Sequence, residues 1–144
     1  MTAITGTGRV LVSGVAEGEV LRCTQAISGW GGIDPAAGTI VETRHPQRGA
    51  VIAGKILVIP GAKGSSGWSG QFHIAKVLGM APAAIITSSM NSKLALGLQV
   101  LGVPALIEVD EDVHAALRDG RRARIHDNRV TVWSPDDEGG DTHV

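Results

Sequence analysis

The chain has 144 residues, enough for one domain with a single core and too few for two ordinary ones. Hydrophobic residues make up 43% and charged residues 19%, the balance of a folded globule and not of a disordered chain. Thirteen basic against fourteen acidic side chains leave a formal net charge of −1, so electrostatics gives no reason to expect a nucleic acid or an anionic membrane as partner.

The N-terminus, MTAITGTGRV, lacks the apolar run of a signal peptide, and no stretch approaches the roughly 20 residues of a membrane span, so the expected location is cytoplasmic. RVLVSG (9–14) and GEVLRC (18–23) read as two short strands joined in a hairpin. The second ends on Cys23, the sole cysteine, which rules out an internal disulfide or a thiolate metal cluster. SGWGGIDPAAG (28–38) is turn chemistry throughout, TIVET (39–43) is a third strand, and VIAGKILVIP (51–60) is a fourth, apolar enough to be buried on both faces. GAKGSSGWSG (61–70) is a Gly/Ser turn, and the apolar spacing over 72–78 then predicts a helix.

APAAIITS (81–88) is another buried strand; KLALGLQVLG (93–102) carries Leu94, Leu98 and Leu101 on one helical face. VPALIEV (103–109) is a strand, Asp110 caps a helix over 110–120, and ARIHDNRVTVW (123–133) is a closing hairpin turning at His126-Asp127-Asn128. The reading is a single domain over 1–133 followed by a flexible polar tail over 134–144. Strand–helix alternation in the middle argues for a mainly parallel sheet with helices on one face, and the β-rich ends supply a second β layer.

Several motifs fail on inspection. GAVIAGK (49–55) matches seven positions of the phosphate-binding loop, but Ile56 stands where a magnesium-binding hydroxyl is required. The nucleophile elbow G-x-S-x-G fails in both registers of the Gly/Ser turn. His45, His73, His114, His126 and His143 show no metal-ligand spacing; His114 and His126 read as surface or hairpin residues, and RDGRRAR (118–124) as a solvated basic turn. GAKGSSGWSG remains. Ser65 or Ser66 is either a plain helix N-cap, or part of a mouth whose backbone N–H groups accept an anion. Its place after the carboxyl end of a buried strand and the second Gly-rich segment, GWGGIDP (29–35), favour the mouth.

WGGIDPAAGTIV (30–41), HPQRG (45–49), IAGKILVIPGAKGSSGWSG (52–70) and APAAIIT (81–87) together resemble the small, swivelling subunit of aconitase X, over residues 8 to about 110. That family's members are similar to dehydratases of cis-3-hydroxy-L-proline in bacteria or of mevalonate 5-phosphate in archaea. The resemblance implies a three-layer β/β/α swivelling domain, no cofactor in this chain, and a large subunit bearing an iron or iron–sulfur centre. It puts the catalytic serine at Ser65, which as an alkoxide takes a proton from the carbon beside the leaving hydroxyl. Lys63, Gly64, Ser66 and Gly67 would hold the anion or substrate; Trp30, Gly31, Gly32, Asp34, His45 and Trp68 would shape the substrate or the subunit interface. Aconitases proper place an arginine soon after the Gly-Ser-Ser run, where this chain has Gly67 and Trp68.

The expected function is therefore half of a hydro-lyase acting on a small hydroxy acid. Low charge and a single lysine in the turn favour cis-3-hydroxy-L-proline. The alternatives are mevalonate 5-phosphate, or a non-enzymatic anion-binding or regulatory module.

Overall fold

The computed structural model describes residues 3–28, 33–42, 44–63, 73–88, 98–99 and 101–133. Short all-apolar runs form its centre. β7 (Ile56–Ile59), β9 (Ala84–Thr87) and β10 (Ala105–Ile107) are buried at every position, which requires cover on both faces. They lie parallel to one another, and β3 (Val15–Arg22) joins them in parallel beside β7.

Register sorts their side chains. Leu21, Leu57, Ile85 and Ala105 stand in one row and face a cluster with Ile27, Ile40, Ala75, Leu98 and Leu101. The next row, Arg22, Val58, Ile86 and Leu106, faces the opposite way. Its apolar members pack with Val113 and Leu117 of the region around the helix Glu111–Ala116, and with Ile125 and Val132. The first face carries the helical residues 73–77, 98–99 and 101; the second carries β structure and the helix Glu111–Ala116. This is the layered α/β arrangement expected.

The second β layer comes from the chain ends. β11 (Arg122–His126) and β12 (Arg129–Trp133) form the expected hairpin, with Asp127 in the left-handed region, φ 53°, at its tip. Ala123, Ile125, Val130 and Val132 point inward in strict alternation. β11 pairs with β3, and β12 with β1 (Ala3–Thr7).

The expected hairpin between 9–14 and 18–23 does not form. β2 (Arg9–Val12) pairs with β10, whereas β3 lies between β11 and β7. Along the eight-stranded sheet the order is β1-β12-β11-β3-β7-β9-β10-β2. The two edge strands are thus successive pieces of one stretch, divided only by Gly8, and the sheet must bend round to bring its edges together.

Other expected elements are shorter than their apolar runs. Of 51–60 only 56–59 is strand; Val51 makes one bridge to Thr39, and a turn over 53–54 intervenes. The stretch 49–55 leads into β7 and not into a helix, which excludes the phosphate-loop match. TIVET yields β6 (Thr39–Ile40), paired with β5 (Ile33–Asp34). Helix 110–120 ends at Ala116, where Leu117 leaves helical geometry, φ −75° and ψ 81°. Asp110 is the N-cap residue of that helix as expected, but its side chain makes no capping bond: Oδ2 accepts the Thr7 N–H at 2.9 Å and so ties the helix to β1. Of the expected helix 72–78 the described helical residues are 73–77; Ala75 is buried while Ile74, Val77 and the following Leu78 are exposed. No helix among the described residues is long and apolar enough to cross a membrane. The tail over 134–144 lies outside the described residues.

Candidate functional site

The parallel strands end together, so Arg22, Pro60, Ser88 and Glu108 follow one another along the carboxyl rim of the sheet, where open α/β sheets place their sites. Past this rim β7 leads into β8 (Ala62–Lys63), which lies parallel to β4 (Ile27–Ser28) with Ile27 opposite Ala62 and Ser28 opposite Lys63. The two Gly-rich segments therefore leave the described structure from adjacent points, one after Ser28 and the other after Lys63. Sequence alone could not show that these segments, more than 30 positions apart, start side by side.

The predicted site residues divide accordingly. Ser65, Gly64, Ser66, Gly67, Trp68, Trp30, Gly31 and Gly32 lie outside the described residues, and Lys63 is placed by its backbone only. Asp34 and His45 are described, and both make hydrogen bonds within the chain. Asp34 Oδ1 accepts the N–H groups of Ala36 at 3.0 Å and Ala37 at 3.2 Å, holding the turn between β5 and β6.

His45 is 4% exposed. Its Nδ1 accepts the Gln47 N–H at 3.0 Å; a backbone amide can only donate, so the ring proton sits on Nε2 and is donated to the Gln25 carbonyl at 3.0 Å. Gln47 Oε1 in turn accepts the Thr24 N–H at 3.3 Å. The His-Pro-Gln-Arg-Gly stretch is a tight turn closed by Gly49 at φ +91°, and it grips residues 24–25 just ahead of β4.

The rim also holds a polar chain that sequence reasoning read as surface. Arg22 Nη1 donates to the carbonyls of His114 at 2.6 Å and Leu117 at 2.8 Å, and Nη2 lies 3.1 Å from His114 Nδ1. His114 Nε2 is 3.3 Å from Ser88 Oγ. Burial first, and then the Arg22 cation, hold the His114 pKa below its ordinary value. A serine–histidine nucleophile pair needs an acid behind the imidazole; here a guanidinium stands in that place, so the pair is no hydrolase dyad. Two clefts of about 240 Å³ each flank the chain and share Ser88 and His114. The signal for Arg22 lay in its position after Val20 and Leu21, but only a parallel β3 turns it toward the helix.

Cys23 is 4% exposed, and burial, then the Asp119 carboxylate, push its thiol up to about 12. It is neither a nucleophile nor a ligand at neutral pH. Among the described residues no three His, Cys, Asp or Glu side chains could hold a metal ion.

Comparison with known proteins agrees with this geometry. The family described as the aconitase X swivel domain matches residues 5–133. A phosphomevalonate dehydratase small subunit of Thermococcus gammatolerans is 37% identical over 119 residues, covering 83% of this chain and 88% of the relative. One from Methanosarcina acetivorans is 36% identical over 126 residues, 88% of each. The crystal structure of Thermococcus kodakaraensis aconitase X in its holo-form superposes with TM-score 0.83 at 33% identity, covering 91% of this chain and 99% of that one. None of these descriptions mentions the hydroxyproline expected first; the relatives favour the phosphomevalonate alternative. The chain is the small subunit of an aconitase X-type dehydratase, and it belongs to the aconitase X swivel-domain family.

Proposed function

We propose that this small subunit serves the dehydration of mevalonate 5-phosphate, in a cleft shared with a large subunit. The observation that carries the substrate is the run of relatives at 34–38% identity, each a phosphomevalonate dehydratase small subunit, over more than four fifths of this chain.

In this substrate the hydroxyl lies β to the carboxylate. Loss of water breaks the C–H bond next to the carboxylate, forms the carbon–carbon double bond with that electron pair, and expels the hydroxyl. This chain's part is the proton, which the Ser65 alkoxide accepts. Serine is a poor base unless its anion is stabilised, and backbone N–H groups from two Gly-rich segments are suited to that. The β4–β8 ladder supports the arrangement, because it starts both segments from neighbouring positions.

The iron or iron–sulfur centre belongs, in this proposal, to the large subunit, where it would act as a Lewis acid on the departing hydroxyl. The described residues of this chain do not fit a metal: the single thiol is buried and held protonated.

The test is co-expression with the large subunit, then assay of the assembled enzyme on mevalonate 5-phosphate and, separately, on cis-3-hydroxy-L-proline. Turnover of the first alone is expected. Ser65→Ala should lower kcat by about 10²–10⁴-fold. Turnover of hydroxyproline alone would overturn the substrate, and a Ser65→Ala enzyme of full activity would overturn the base.

A further inference from the structure

We infer that His45 is a positioning residue for the Ser65 turn, acting through the β4–β8 ladder. The inference rests on the reading of Ser65 as the base.

His45 has no free polar atom with which to meet substrate. Nδ1 is taken by the Gln47 N–H and Nε2 by the Gln25 carbonyl, and the ring is 4% exposed. Both bonds, with the Gln47 Oε1 contact to the Thr24 N–H, fix residues 24–25. Two residues later the chain enters β4, where Ile27 is fully buried and pairs with Ala62, and Ser28 pairs with Lys63. Lys63 stands two positions before Ser65. A ladder of only two residue pairs is weak alone, because each strand is held by few hydrogen bonds. Its neighbour across the ladder needs an outside anchor, and the imidazole clamp is one.

The clamp also explains the residue type. One side chain must accept from an amide at one ring atom and donate to a carbonyl at another, across a fixed width. Neutral imidazole does both at once. Asparagine retains the acceptor near Nδ1 but is too short to reach Gln25.

In the assembled enzyme, His45→Ala is expected to lower kcat by about 10²-fold, the scale of a 1 Å misplacement of a reacting group, with KM and the affinity for the large subunit within about threefold of wild type. His45→Asn should fall between wild type and His45→Ala, and Gln47→Ala, which spares both imidazole bonds, should lose least. The decisive comparison is a cycle with Ser65→Ala: if His45 acts by placing Ser65, His45→Ala should slow a Ser65→Ala enzyme no further. A merely structural role would shift Tm without that dependence.

Wild-type kcat in His45→Ala overturns the inference. So does a rise in KM with kcat unchanged, or the same slowing whether or not Ser65 is present. Should His45→Ala fail to fold, His45→Asn and Gln47→Ala carry the same cycle. A Ser65→Ala enzyme of full activity shows by itself that the base was misassigned, and the positioning role falls with it.

Discussion

Arg22 stands at the end of β3 on the carboxyl rim of the parallel strands, and its role there can be decided by experiment. Its guanidinium donates to the carbonyl of Leu117, the residue that ends the helix, and to that of His114, which also accepts the Leu117 N–H at 3.2 Å, and it lies against His114 Nδ1. Hydrogen bonds to a charged donor contribute about 1.5–3 kcal/mol each. The site is only partly buried, so water can replace some of what is lost. Taking the lower value for the two carbonyls alone, Arg22→Ala should cost about 3 kcal/mol, or roughly 10 °C in Tm for a domain of this size. Arg22→Lys should recover less than half, since an ammonium lacks the planar fork that spans two carbonyls. Thermal melts and urea titrations of the isolated subunit measure both. A Tm within about 2 °C of wild type, joined to a fall in kcat of the assembled enzyme, would refute the strut and make Arg22 a substrate ligand.

Three other outcomes follow from described contacts. The native His114 pKa lies below 6.5, so folding favours its neutral ring; that contribution is present above about pH 6.5 and is lost as pH falls through the native value. The urea midpoint of wild type should therefore drop more steeply below pH 6.5 than that of His114→Asn, and parallel curves would contradict this. Gly18→Ala would drive a Cβ to 2.7 Å from the Gly54 carbonyl, a backbone atom fixed by a turn with φ +71°. Overpacking of this kind costs about 1–3 kcal/mol, and an unchanged denaturation midpoint would show that the turn yields freely. Cys23, buried and with its thiol near 12, should resist iodoacetamide at pH 8 in the native chain and react fully in urea; fast native labelling would contradict its burial.

The centre of the fold was legible because ILVI, AIIT and ALI admit only strands covered on both sides. The closing hairpin was legible because Ala123, Ile125, Val130 and Val132 alternate around a turn. β1 was not, because AITGT is an edge strand with little burial and so no alternation to detect. The false hairpin arose from proximity: β2 and β3 are neighbours in sequence, yet β2 finds its partner in β10, over 90 residues away, and no local pattern records a long-range pairing.

For the site, the sequence pointed to the Gly/Ser turn and to His45 but could not say what His45 holds. The bond to Gln25 joins a turn to a strand entrance 20 positions upstream. His114 was read as surface because the five histidines are scattered without metal-ligand spacing, whereas the rim it meets is assembled from Arg22 and Ser88. The first choice of substrate rested on charge content, which tracks growth temperature and not what a cleft accepts, and on a single lysine in the turn, which leaves out the cations a partner subunit can supply.

Glycine-rich segments lose more conformational entropy on ordering than any others, so a site made of them is only as well placed as its anchors. Here the anchors are supplied outside the segments. The first leaves from Ser28, held by the ladder, and returns at Ile33–Asp34, which pairs with Thr39–Ile40 and is locked by the Asp34 carboxylate. The second leaves from Lys63 on the same ladder and returns near Ala75, fully buried under the sheet. Each segment is thus bracketed by fixed points, and its glycines and serines are residue types suited to close approach to an anion. Substitutions at the brackets should then lower the rate of the assembled enzyme by more than they lower stability. Substitutions of equal cost in the second β layer, at Val130 or Val132, should do the reverse, and comparing rate loss with Tm loss across both sets tests whether the fold divides its work this way.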